Sequence, residues 1–184
     1  MPFNSIKSLL NPEILYDIDQ SGKQVTLKEK LQNSKRRSII SIGGLSSNTI
    51  IFKLDKNKKG FTYKSGFLNP AHIDIHKGCD YVIITEHKKR QVIVFCELKS
   101  GKISGGKDQL FYSVPFIDYL ASLVKTHKRK SIEAFERHFV IFSNSGKIKK
   151  QNIKNKKLQS YRHKNIKVKH ARNHNKINIG RILQ

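Results

Sequence analysis

The sequence predicts an α/β domain, a mixed β-sheet core flanked by helices, on three observations. Two apolar runs, YVIIT (Tyr81–Thr85) and VIVFCELK (Val92–Lys99), flank the polar EHKKRQ and read as an antiparallel hairpin. In DQLFYSVPFIDYLASLVK (Asp108–Lys125), Leu110, Phe111, Val114, Ile117, Leu120, Ala121 and Val124 recur at three- and four-residue spacing, the pattern of a helix. A third apolar run, HFVIFSN (His138–Asn144), reads as a strand. A strand–helix–strand connection favours a right-handed parallel crossover, so the sheet is mixed.

The other elements follow in chain order. Residues 1–36 look helical in parts: LNPE around Pro12 is a helix start, and LKEKLQ (Leu27–Gln32) a short helix. RSIISIGG (Arg37–Gly44) and TIIFKLD (Thr49–Asp55) read as β-branched strands with a glycine-containing turn between them. KNKKGFTYKSG is a basic loop or edge hairpin, and NPAHIDIHKG leads into the central hairpin. Pro115 kinks or divides the long helix, because it lacks an amide hydrogen and clashes with the preceding turn. SIEAFER (Ser131–Arg137) reads as another short helix. The core with its N-terminal extension is expected over residues 1–144. From Ser145 to Gln184 there are thirteen Lys and Arg and no Asp or Glu. That segment is expected to contact nucleic acid, either as a disordered basic arm or as a folded edge of the same domain with one or two late strands.

Composition narrows the partner. The chain has 184 residues, 37% of them hydrophobic, which suits one domain with a real core. Its formal charge is +24, with 37 Lys and Arg against 13 Asp and Glu. Such an imbalance points to a polyanionic partner, nucleic acid first. A Lys- and Asn-rich composition alone leaves the scarcity of acids unexplained. No apolar stretch approaches the length of a membrane span, and the N-terminus has no secretory pattern, so no membrane partner and a cytoplasmic location are expected. Two cysteines, Cys79 and Cys96, are too few for a disulfide framework.

The hairpin carries the chemistry. With the turn centred between Lys88 and Lys89, facing residues have numbers that sum to 177, and Asp80 falls opposite Glu97. Facing Cβ atoms sit roughly 4.5–5.5 Å apart. Lys99 lies on the same face as Glu97, about 7 Å further along. Val82, Ile84, Ile93 and Phe95 share that face; Tyr81, Ile83, Val92, Val94, Cys96 and Leu98 line the other, so the hairpin is internal to the sheet. Two facing acids are mutually repulsive, and burial makes them costlier. A divalent cation between them removes the problem, and a lysine alongside can steer an attacking water. The plainer alternative is a solvated hairpin end, with Lys99 pairing with Glu97 or Asp80. Cys79 and Cys96 are expected on the face opposite the acids, as core thiols.

These residues resemble the PD-(D/E)xK nuclease superfamily, through Asp80 in GCDYVIIT and Glu97 and Lys99 in CELKSG. The resemblance implies a restriction-endonuclease-like fold with Asp80 and Glu97 as metal ligands and the Leu98 carbonyl as a further ligand. It implies that Lys99 positions the water, and that the ion is Mg²⁺ with Mn²⁺ as a substitute. Gln109 in DQLFY matches a helix glutamine of the RecB- and λ-exonuclease-type branches, and Tyr112 stands near their tyrosine, three residues on instead of four. No proline precedes Asp80, and the upstream acid of some members has no clear match, Glu29 and Glu13 being the candidates. The implied activity is phosphodiester hydrolysis in nucleic acid, DNA ahead of RNA and endonuclease ahead of exonuclease, with a homodimer as one assembly. The alternative is a nucleic-acid-binding module that keeps the scaffold without catalysis; a third reading is a basic nucleoprotein component.

Three further features compete. GKISGGKD (Gly101–Asp108) approaches a phosphate-binding loop, but Asp108 stands where Ser or Thr belongs and reads as a helix cap. Asp74 could replace Asp80 only through a sharp bend near Gly78. His163, His170 and His174 in the basic segment are expected to add phosphate contacts, and Tyr161 to stack on a base.

Overall fold

Short extended segments pair into three sheets among the described residues, and the six-stranded one holds the acids. The computed structural model describes residues 2–19, 21–29, 38–54, 57–58, 61–62, 71–100, 103, 105–143, 158–172 and 175–184. The strands are β1 (Gln24–Lys28), β2 (Ile39–Gly43), β3 (Ile50–Lys53), β4 (Asn57–Lys58), β5 (Phe61–Thr62), β6 (Tyr81–His87), β7 (Arg90–Lys99), β8 (Glu136–Ser143), β9 (Gln159–His163), β10 (Ile166–Arg172) and β11 (Lys176–Asn178). The helices are α1 (Pro2–Lys7), α2 (Gly106–Tyr112), α3 (Val114–Lys128) and α4 (Ile179–Leu183), with 3-10 turns at Pro12–Ile14 and Ile73–His76. The larger sheet runs β3-β6-β7-β8-β10-β9, a three-stranded sheet runs β1-β2-β11, and β4 pairs with β5. This is the expected mixed sheet with flanking helices.

β6 and β7 are buried on both faces because both faces of their sequence are apolar. Their antiparallel register runs from Tyr81↔Cys96 to His87↔Arg90, the register expected from the sequence. β7 and β8 are parallel, from Val92↔Glu136 to Lys99↔Ser143. The chain between them divides at Ser113, and Pro115 falls in the first turn of α3, where its missing amide hydrogen costs nothing. One face of the sheet packs Val82, Ile84, Ile93, Phe95 and Ile141 against Leu110, Ile117 and Val124 of α2 and α3. The other packs Tyr81, Ile83, Val94 and Leu98 against Val25, Ile42 and Ile177 of the small sheet and Ile182 of α4.

Several expectations change. Leu27 and Lys28 end strand β1, and the rest of the expected helix over 27–32 lies outside the described residues, apart from Glu29. Val25 and Leu27 alternate inward and pair with Ile42 and Ile40, which outweighs the helix propensity of so short a segment. SIEAFER forms a turn and then the start of β8 at Glu136, because Ile132 and Phe135 are drawn into the helix-side core. The last forty residues supply β9, β10, β11 and α4 instead of one or two strands. Cys79 packs on the acids' side of the sheet, because alternation begins only at Tyr81; Cys96 lies on the far side as expected, and both thiols are free and buried. Tyr161 and the segment around it fold as an edge of the sheet.

One side chain ties the layers together. The Tyr81 hydroxyl donates to the Lys28 carbonyl at 2.8 Å and accepts from the Lys28 amide at 3.3 Å. Tyr81→Phe leaves those backbone groups without their partner. We expect a loss of about 1–3 kcal/mol in unfolding free energy, read by urea titration.

Candidate active site

The site forms where β6 begins and β7 ends. The register places Asp80 one step beyond Tyr81↔Cys96, beside Glu97. The Asp80 amide donates to Glu97 Oε2 at 3.2 Å, and the Leu98 amide donates to Asp80 Oδ2 at 2.7 Å. Each acid is thus held by the other's strand. Lys99 Nζ lies 2.5 Å from Glu97 Oε1 and donates to Gln109 Oε1 at 2.6 Å. Asp80, Glu97, Lys99 and Gln109 are therefore brought together. Leu98 meets Asp80 through its amide hydrogen, while its side chain faces the opposite core.

Helix α2 is fixed over this group by two bonds. Gln109 Nε2 donates to the Gly78 carbonyl at 3.3 Å, and Ser113 Oγ accepts from the Cys79 amide at 2.7 Å. Both clamp the segment that delivers Asp80. Gly106 allows the close approach: a Cβ there would lie 3.1 Å from Lys99 Cε and 3.2 Å from Glu97 Cγ.

Electrostatics set the tension. Glu97 is 1% exposed. Burial, then repulsion from Asp80, pushes its carboxyl up to about 9, against the pull of Lys99. Glu29, one residue past β1, feels the same field: burial and Asp80 raise its pKa and Lys99 lowers it. Glu29 Oε2 is buried without a hydrogen-bond partner. Glu29 therefore lies within electrostatic reach of Asp80 and Lys99, next to the Lys28 backbone that Tyr81 holds. Glu13 is exposed in the first 3-10 turn. Asp74 lies in the second, and its side chain is outside the described residues. Among the described residues, no group of three or more His, Cys, Asp or Glu forms a ready-made metal site.

The comparisons add no relative: no family model, no curated protein and no solved structure matches this chain.

Other expected contacts rearrange. Tyr112 meets Lys164, its ring centroid 4.7 Å from Lys164 Nζ. Asp108 does not cap α2; it meets His163 Nε2 at 2.9 Å. His163 and His170 are engaged within the protein, and His174 lies outside the described residues. His170 Nε2 lies 2.7 Å from Ser143 Oγ in a buried pair, and Ser143 is the strand neighbour of Lys99. Burial, then Arg172 and Lys107, keeps His170 below the ordinary imidazole range. Sequence reasoning missed this pair and the Ser113 clamp. The available signal was a serine ending or interrupting an apolar run.

The raised Glu97 pKa has a measurable sign. A carboxyl that holds its proton more tightly when folded contributes most stability below about 4.5 and loses it as pH climbs toward about 9. Glu97→Gln has no proton to lose. In EDTA, its melting temperature should exceed that of the native protein by a few degrees at pH 8, and the gap should close toward pH 4.5.

Proposed function

We propose that the chain is a Mg²⁺-dependent nuclease that hydrolyses phosphodiester bonds, with DNA the preferred substrate and Mn²⁺ able to substitute. The observation that carries this reading is the buried Glu97 carboxyl group interlocked with Asp80 and touching Lys99. The residues suit a hard cation. Asp80 and Glu97 supply oxygen donors, with the Leu98 carbonyl a further donor on the family resemblance. Glu29 Oε2 is a buried oxygen without a hydrogen-bond partner. Mg²⁺ is ordinarily held by one or two carboxylates, waters and substrate phosphate, so a full protein cage is not required. When bound, the ion lowers the pKa of its water and neutralises charge building on phosphorus.

The chain's own groups perform the rest. Lys99 orients the attacking water and stabilises negative charge on the phosphoryl oxygens. Gln109 holds the Lys99 ammonium at 2.6 Å and so fixes its direction. As water attacks, the phosphorus–oxygen bond to the leaving sugar breaks. A net charge of +24 draws the polyanion in.

One observation favours the second reading, a binding module without catalysis. Glu97 Oε2 already accepts from the Asp80 amide, and Oε1, which has no hydrogen-bond partner, lies against the Lys99 ammonium. Incubation of linear, circular and single-stranded DNA and RNA with Mg²⁺, Mn²⁺ or EDTA separates the two. We expect metal-dependent cleavage, reduced by about 10²–10³ in Asp80→Ala and in Lys99→Ala. Gln109→Ala should fall by a smaller factor. Salt-sensitive binding without cleavage in any metal selects the binding module.

A further inference from the structure

We infer that the end of the sheet remote from the acids is a second contact surface for a polynucleotide backbone. Four non-glycine residues among those described have left-handed backbone: Lys88 (φ 50°), Lys89 (φ 64°), Arg129 (φ 52°) and Lys164 (φ 52°). All four are basic. Left-handed backbone is strained for residues that carry a Cβ and is favoured for Gly, or Asn.

By the topology, three of the four lie toward the same end of the sheet. Lys88 and Lys89 form the two-residue turn between β6 and β7, where both central residues need positive φ and Asn-Gly is the favoured pair. Arg129 ends α3, at a position where Gly is favoured. Because β7 and β8 are parallel, the chain leaving α3 for β8 arrives at the end where β7 begins. The Arg90–Glu136 ion pair at 3.3 Å joins the two loops.

Charge adds to strain there. Lys88, Lys89, Arg90, Lys125, Lys128, Arg129 and Lys130 are exposed. Glu136 pairs with Arg90, and Glu133 pairs with Lys125 at 3.2 Å. Lys88, Lys89, Lys128, Arg129 and Lys130 have no acidic partner among the described residues. The left-handed positions are better served by Asn and Gly, so backbone geometry does not account for the cations at Lys88, Lys89 and Arg129. A row of phosphates does.

The patch is distinct from the acid pair. Nine strand steps separate Arg90 from Lys99, about 30 Å at 3.3 Å each. A bound duplex that reaches both must extend well beyond the cleavage point. Contacts of this kind hold the backbone without reading bases. The inference shares with the proposed function only the polynucleotide partner and does not depend on the hydrolytic step.

The test compares the full-length native protein with Lys88→Asn/Lys89→Gly/Arg129→Gly, and separately with Lys128→Ser/Lys130→Ser. Binding to a 30-base-pair DNA duplex and to an RNA duplex is measured in EDTA across a salt series. The triple variant should melt a few degrees higher, bind at least about tenfold more weakly at low salt, and show a log–log salt slope shallower by about 2–3. The double variant should lower the slope by about 2 without the stability gain. A triple variant that melts higher yet keeps its affinity and salt slope overturns the inference. So does loss of binding to phosphatidylserine vesicles with duplex binding unchanged. Cleavage is scored separately with Mg²⁺ on an eight-nucleotide strand. Its absence in the native protein counts against the nuclease reading, while the salt slopes still decide the second surface.

Discussion

The site turns on one constraint: a carboxyl group buried at the end of a central strand must find compensation nearby. Glu97 cannot turn to water, because α2 covers it at Gly106 and the sheet surrounds it. Its neighbours answer in three ways. Lys99 supplies opposite charge, the Asp80 amide supplies a hydrogen bond, and a raised proton affinity relieves what remains. A buried pair in low-dielectric surroundings is a weak source of stability, since desolvation offsets most of the Coulombic gain. The fold gains little stability from holding this group inside an otherwise apolar sheet.

The fold's layers are arranged around that strand end. Helices α2 and α3 cover the acids' face, while the three-stranded sheet and α4 cover the other. The two covers do different work at the site. From the helix side come Gln109 and Ser113, which orient Lys99 and clamp the approach to Asp80. From the end of the small sheet, Glu29 adds a negative field that Asp80 and Lys99 feel, next to the Lys28 backbone held by the Tyr81 hydroxyl. The neighbouring strands extend the polar row from Lys99 to Ser143 and His170. At the opposite end of the same strands lie the Lys88–Lys89 turn and the basic end of α3.

Much of this was legible where the signal was local. The hairpin register followed from the two-residue turn and period-two alternation, and it placed Asp80 beside Glu97 with Lys99 on the same face. The helix and its break near Pro115 followed from three- and four-residue spacing. Gln109 came from the family resemblance, and it bonds Lys99. Failures cluster where local and tertiary preferences compete. Leu27 and Ile132 sit in segments too short to hold a helix alone, so packing partners decided their conformation. Tyr112 and Asp108 were assigned by position in a motif, but the β9–β10 turn claims both.

By itself the sequence determined which residues share a strand face, where one hairpin turns, and the chain's net charge of +24. Those properties depend on neighbours along the chain and on total charge. Only the tertiary structure decided that Glu29 comes within electrostatic reach of Asp80, that Ser143 meets His170, and that the Lys88–Lys89 turn and the end of α3 share one end of the sheet. Each of those contacts joins segments far apart in sequence: Tyr81 and Lys28, for example, are 53 residues apart. Periodicity tells a residue which way to point, and the closure of long loops around a shared core tells it what it will find there.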